Sequence, residues 1–459
     1  MGEQAAGKGS SSQEITLVKA LRPFHVWALG VGIVLVGEFM GWNFTIAKGG
    51  TLASLLACWF AGTLYITLVL ITGELGSCIS KVGGPYDWVR VTVGPGAAWI
   101  VGVAVMMEYL CLEAGDAIVT AFTLKEFFPE LEVFPLTLLL VAILTFLNYR
   151  GVVLTLTFNF IITFTAFLTI IALFISWVCG VYPMHPELRA EAALPFGLVG
   201  LFAALQFGPW YYLGIEGAAM AAEETRKPGR DVPLGQQAGM ITLLIAAALT
   251  WFLCTGLVPA EKLGASAYPL LDAALATGNF GLIVALAIGT LFSCMASANG
   301  CICDTSRSWF ALSREGFFTT WFADVHPKYR SPYRTVLFTL PIAIALAFSG
   351  LLDQVITFSI ISGLVCYIFI PLALIRFRKL WPTGEIHRPY VCPMHKAVAF
   401  TAIAFTYIIM LSLYFGYFIN MLAAILFYVV IYLYFALYRI KRITAKIGWE
   451  EYGWPAPKE

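Results

Sequence analysis

Charge is what this chain has least of. Lys, Arg, Asp and Glu make up 12% of its 459 residues, against roughly 25% in an ordinary globular chain. The sequence is 60% hydrophobic, with a mean hydropathy of +0.83. A soluble fold of this size cannot hide so much apolar surface, so the surplus must face lipid. Other absences narrow the reading further. The first 20 residues, MGEQAAGKGSSSQEITLVKA, hold no apolar h-region and no cleavage site, which argues for a polar tail rather than a signal peptide. The ten cysteines are scattered singly through apolar segments, and Cys301 and Cys303 have no metal-like partner set beside them. They read as small buried hydrophobes, so no disulfide framework and no metal is expected. No polar stretch is long enough for a soluble domain, and no nucleophile–base pair appears. An enzyme, a sensor with an output domain, a bound cofactor and a nucleic-acid partner are therefore not expected.

What is present is a series of long apolar runs, and a spanning helix needs about 20 such residues. Twelve runs stand out: 24–47, 51–73, 95–122, 134–149, 153–180, 196–222, 234–258, 279–303, 334–350, 354–375, 397–415 and 418–438. They form one transmembrane domain, 24–438, between tails 1–23 and 439–459. Placing the N-terminus inside leaves only Lys48, Lys125, Arg189 and Lys262 on the outer side, out of 28 basic residues. That asymmetry is the positive-inside signal, and it predicts an even number of spans with both tails cytoplasmic. The inner loop containing WFALSREGFF is expected to hold a short amphipathic helix along the inner face.

Two spans are interrupted in matching places. Span 1 carries GVGIVLVGEFMGWN, with Gly37 and Gly41 flanking Glu38; span 6 carries FGPWYYLGIEG, with Pro209, Gly214 and Glu216. Proline removes a backbone donor, and glycine lowers the cost of leaving the helix. Irregular backbone survives at membrane depth only where it lines a cavity or packs in protein. Breaks five spans apart suggest inverted five-helix repeats with a site at the midplane. Intramembrane acids point the same way, because they are costly and usually functional. Besides Glu38 and Glu216, span 3 carries Glu108, Glu113 and Asp116. Glu113 and Asp116 are i, i+3 and share a face, whereas Glu108 lies about 140° around the helix from Glu113. No Lys or Arg falls within the apolar core of any run, so the acids invite a cationic solute, a sodium ion or protons of their own. Glu74, Glu223 and Glu224 lie at inner ends and read as ion-pair partners for inner arginines. Trp42, Trp210, Tyr211 and Tyr212 crowd the breaks, where Trp210 and Tyr211 are candidates for a cation–π box around an ammonium group.

Several stretches resemble a known family. GELGSCISKVGGPYDWVRVTVGP after span 2 resembles the signature of the amino acid–polyamine–organocation transporters. YYLGIEGAAMAAEETRKPGRDVP resembles that family's span-6 motif, and ANGCICDTSRSWFALSREGFF followed by HPKYRSPYRT resembles its span-8 exit loop. Within the family, WALGVGIVLVGEFMGWN and MEYLCLEAGDA are most similar to the ethanolamine permease branch. The resemblance implies an all-α polytopic protein of 12 transmembrane helices. Spans 1–5 and 6–10 would be inverted repeats with broken helices 1 and 6, and two peripheral helices would follow. It places substrate between spans 1 and 6, helped by spans 3, 8 and 10. Coupling would be to protons or to sodium; the span-5 lysine that serves some relatives is absent here, and Ser293 and Ser297 on span 8 could line a sodium-like pocket. In the family's amino acid permeases, amides of the span-1 break hold a carboxylate; Glu38 at that place would repel one and attract an ammonium.

The sequence therefore predicts a secondary active importer of a small organic amine, ethanolamine first, in a bacterial inner membrane. Gly37, Glu38, Gly41, Trp42, Glu113, Asp116, Trp210, Tyr211 and Gly214 are the expected substrate residues. Glu108, Tyr212, Glu216, Ser293 and Ser297 are the expected gate or coupling residues. A di- or polyamine transporter, and an amino acid permease or exchanger, are the alternatives.

Overall fold

The computed structural model describes residues 16–180, 193–440, 443 and 449–457. The polar start of the N-terminal tail, the loop bearing Arg189 and most of the basic stretch 441–448 lie outside these. Among the described residues the chain is helical, with only isolated bridges such as Leu21 to Thr225. The first half comprises α1 Pro23–Met40, α2 Trp42–Gly49, α3 Thr51–Cys78, α4 Pro85–Thr92, α5 Pro95–Phe127, α6 Val133–Tyr149 and α7 Val152–Val178. The second comprises α8 Gly197–Ala204, α9 Pro228–Leu257, α10 Ala260–Ala265, α11 Pro269–Ala276, α12 Phe280–Arg314, α13 Tyr333–Ala347, α14 Leu352–Leu380, α15 His395–Gly416 and α16 Phe418–Tyr434. Proline opens many of them (Pro23, Pro85, Pro95, Pro228 and Pro269), where its missing N–H costs nothing and its fixed φ suits a first turn.

Each apolar run coincides with helical structure. Nine helices among the described residues are long and apolar enough to cross a membrane, while α6 and α13 are shorter apolar helices. The sixth run is interrupted. The helices sort into centre and rim by what they bury. In α1 and α5, 78% and 83% of the apolar window is inside the protein, against 17% in the last, Phe418–Arg439. Side chains such as Ile419, Leu426 and Leu437 are mostly turned outward, as lipid-facing bulk must be.

Polar side chains tie the central helices together. Asn148 donates to Asn299 (2.9 Å), Asn299 to Asn159 (3.1 Å), and Asn159 to the Ala28 carbonyl on α1 (3.0 Å). These bonds link α6, α12, α7 and α1, the kind of interhelical hydrogen bonding that holds membrane bundles without a hydrophobic drive between them. What span 5 presents to span 1 is thus an asparagine amide.

One expectation changes. WFALSREGFF does not form a separate surface helix: α12 runs on through Trp309 to Arg314, 35 residues in all. That is about 52 Å of helix against a hydrocarbon core of about 30 Å. The residues before span 1 are also anchored. Ala20 and Leu21 donate backbone hydrogen bonds to the Glu224 carbonyl, and Arg226 returns one to Leu21. The C-terminal residues dock on the same face. Lys81 pairs with Glu451 (3.0 Å), Trp381 donates to the Pro455 carbonyl (2.9 Å), and Trp454 packs edge-on against Trp381 (5.0 Å).

Candidate functional site

The two breaks differ in depth. At Gly41, between α1 and α2, the backbone keeps right-handed dihedrals (φ −91°, ψ −17°), and its N–H still reaches the Gly37 carbonyl at 2.8 Å. Span 6 opens far more. After α8 ends, a short 3-10 turn covers Gly208–Tyr211, Gly214 turns the chain at φ +102°, and a 10-residue 3-10 run carries Glu216. Only glycine takes that φ without strain, and a 3-10 run of such length is uncommon. The breaks meet at Gly37, where an added Cβ would lie 2.5 Å from the Trp210 carbonyl oxygen.

A cavity of about 710 Å³ opens beside them. Asp116, Met40, Phe44, Trp210 and Tyr268 line it, with exposed Lys125 and Glu126 at its mouth. Because α5 runs from Pro95, near Arg90, to Lys125, the mouth lies on the face opposite the arginines described below. Of the expected substrate residues, Asp116 and Trp210 reach this vestibule. The Ser297 hydroxyl stands 2.5 Å from Asp116 Oδ2 and 2.6 Å from the Ile33 carbonyl. One hydroxyl proton cannot serve both acceptors at once, so Asp116 Oδ2 competes for it with a carbonyl inside α1. Ser293 instead donates to its own helix at the Thr290 carbonyl.

Glu38 is fully buried and faces α9 rather than the vestibule lining. Its Oε2 accepts from Thr250 Oγ1 at 3.0 Å, and Trp42 Nε1 donates to the same hydroxyl at 2.9 Å. Trp42 and Tyr211 stack on each other at 4.2 Å, leaving no room for an ammonium between their faces. The Tyr211 hydroxyl bonds Thr45 (2.7 Å), and that of Tyr212 meets the Cys58 thiol (3.2 Å). Glu113 is buried with neither oxygen hydrogen-bonded. Glu108 and Glu216 come together below the vestibule: the Tyr367 hydroxyl lies 2.8 Å from Glu216 Oε1 and 3.4 Å from Glu108 Oε1. Tyr109 approaches Glu216 at 3.3 Å and the Gly214 carbonyl at 3.4 Å.

The basic face is closed by ion pairs. Glu224 meets Arg307 at 2.5 Å, Glu223 meets Arg314 at 2.8 Å, and Glu74 holds Arg378 at 2.6 Å and Arg388 at 3.3 Å. These are the acids expected as ion-pair partners. No group of three or more metal-ligating side chains occurs among the described residues.

A deep vestibule ending at two facing helix breaks, sealed by ion pairs on the other side, is the geometry of a carrier. The amino acid permease family model matches residues 25–451. The chain belongs to the amino acid permease family. An uncharacterized transporter of Rhizobium meliloti (strain 1021) is 46% identical over 451 residues, covering 97% of this chain and 96% of that protein. The branched-chain amino acid permease of Bacillus subtilis (strain 168) is 24% identical over 431 residues, 88% of this chain and 90% of its own length. A human cystine/glutamate transporter is 26% identical over 424 residues, 87% and 80% of the two chains. The permease is thus a polytopic membrane transporter and not an enzyme.

Sequence reasoning missed two acids of this permease, Glu126 at the cavity mouth and Asp304. Asp304 is fully buried on α12, one residue past the end of the apolar run. Its helical phase was the available signal: Ser297 and Asp304 are i, i+7 and share a face.

Proposed function

We propose that this permease imports a small organic amine, ethanolamine first among candidates, by proton-coupled alternating access in a bacterial inner membrane. Both tails would be cytoplasmic and the vestibule would open outward. The observation that carries this reading is Asp116. It is the acid of the expected set that the vestibule reaches, and its Oδ2 shares the single Ser297 proton with the Ile33 carbonyl. A substrate ammonium supplies donors and the opposite charge, and charge-assisted hydrogen bonds of this kind are the stronger ones. Trp210 and Tyr268 line the same cavity and bring aromatic rings to it. The span-1 break supports an amine over an amino acid: the Gly41 amide is already taken by Gly37, and Glu38 lies buried beside it. A solute with an ammonium and a hydroxyl but no carboxylate suits that setting. Glu38 then shapes the break from behind, through Thr250 and Trp42.

A second reading has its own observation. Glu126 lines the same cavity ten residues beyond Asp116 on α5, about 15 Å along the helix. A di- or polyamine could be held between the two acids. Calorimetric binding of ethanolamine, putrescine, choline and alanine to purified wild type, Asp116→Asn, Glu126→Gln and Glu38→Gln separates the readings. Ethanolamine should bind best, and Asp116→Asn should weaken it by about tenfold or more, the loss of one charged hydrogen bond. Tightest binding of putrescine, with dependence on Glu126, favours the diamine. Tightest binding of alanine, untouched by Asp116→Asn, refutes both.

A further inference from the structure

Beneath the vestibule, three carboxyls from three separate segments meet around tyrosine hydroxyls. Glu108 comes from α5, Glu216 from the 3-10 run of span 6, and Asp304 from α12; all three are buried. Neither oxygen of Asp304 has a hydrogen-bond partner, and Oε2 of Glu216 has none. Asp304 is aimed into the cluster. A Cβ added at Gly217 would stand 2.3 Å from Asp304 Oδ2 and 2.3 Å from the Tyr109 hydroxyl, so the two oxygens face each other across the space that glycine leaves open. The Tyr109 hydroxyl in turn contacts Glu216, and Tyr367, itself contacted by the Tyr65 hydroxyl, bridges Glu216 and Glu108.

The charged groups around this cluster do not neutralise it. Arg307 lies one helical turn beyond Asp304, but its Nε donates to Glu224 (2.7 Å) and its Nη1 to the Cys303 carbonyl (3.0 Å). Glu224 adds a further negative group on the inner side. No hydrogen bond from a cationic side chain reaches Glu108, Glu216 or Asp304 among the described residues. Three carboxylates cannot all stay ionised in a buried site without a counter-charge. The counter-charge must be protons or a bound cation, and the three do not converge as metal ligands would.

We propose that Asp304, with Glu216 and Glu108, is the site that carries the coupling proton. The placement explains how such a proton would act. Tyr109 connects the cluster to the Gly214 carbonyl in the span-6 break, while Asp304 sits one turn from the Arg307–Glu224 pair that seals the basic face. A proton gained or lost at Asp304 changes the field on both. The proposal rests on the reading of a proton-coupled carrier and names the groups responsible.

Infrared difference spectra of the purified, substrate-free permease between acid and alkaline pH test it directly. Wild type should show a protonated-carboxyl C=O band that vanishes on alkalinisation. Asp304→Asn should lose part of that band, and Asp304→Glu should restore it at a shifted frequency. The second arm uses proteoliposomes with labelled ethanolamine. A gradient of about one pH unit should drive about tenfold accumulation per coupled proton in wild type. Asp304→Asn should not accumulate solute, although it should still exchange internal for external ethanolamine. Gradient-driven accumulation by Asp304→Asn equal to wild type overturns the proposal, as does an infrared band unchanged by that substitution. Accumulation driven by sodium and not by protons overturns it too. Absence of any ethanolamine movement in wild type sinks the substrate reading instead, and the infrared arm still decides this one.

Discussion

Replacing Thr250 by valine distinguishes a structural Glu38 from a ligand-binding one. The hydroxyl of Thr250 is the partner of Glu38 Oε2 and also the acceptor for Trp42 Nε1, and all three residues are buried. Valine fills the same space without the hydroxyl. Glu38 Oε1 already has no partner, so the substitution leaves the whole carboxyl unpartnered. Orphaning a buried donor or acceptor costs about 1–3 kcal/mol, so losing both contacts should cost about 2–6 kcal/mol in all by the same measure. The Trp42–Tyr211 stack survives and offsets none of this loss. Thr406→Val is the matched control, because that hydroxyl bonds only its own helix at the Ala402 carbonyl (2.8 Å). Thermal unfolding in detergent, followed by tryptophan fluorescence, should place Thr250→Val several degrees below Thr406→Val. Ethanolamine affinity of the Thr250→Val protein that remains folded should stay close to wild type. Equal melting of the two variants, or a large loss of affinity in Thr250→Val, refutes the assignment of Glu38 to the scaffold behind the break.

Two further outcomes follow from the same geometry. Gly37→Val drives a side chain into the Trp210 carbonyl, which lies 2.5 Å from the position of even a Cβ; the breaks must separate, and uptake into proteoliposomes should be lost even where the protein still elutes as a single species. Arg307→Met leaves Glu224 buried and unpaired, a change that costs about 3–5 kcal/mol when a buried pair is broken from one side. The double variant with Glu224→Gln should regain most of the melting temperature, and failure to do so would show that the pair is not what stabilises this face.

The helices were legible because hydrocarbon imposes a simple rule on sequence. A run such as 51–73 has nowhere to go but across the bilayer, and α3 covers it. The breaks were legible as composition but not as shape. Gly37 and Gly41 permit unwinding without demanding it, and the helix there is interrupted only at Gly41. The direction of Glu38 was not legible, since every face of α1 is buried and no polar stripe marks one side. Span 3 was more readable: Asp116 shares a face with Glu113, yet only Asp116 reaches open space. Hydropathy stops counting at the first charge, so the run ended at Cys303, whereas α12 continues to Arg314 and carries Asp304 and Arg307 into the protein.

The docked C-terminal residues give the molecule an optical property. Trp454 lies 5.0 Å from Trp381 and is stacked on Tyr452 at 4.6 Å, while Lys81 of the loop after α3 holds Glu451. Any movement that parts this loop from the end of α14 must pull an indole out of an aromatic nest and into water. Emission from that nest would then shift to longer wavelength each time the basic face opens. Under the proposed alternating access that shift, isolated from the chain's other tryptophans by comparison with Trp454→Phe, would report which way the permease is facing.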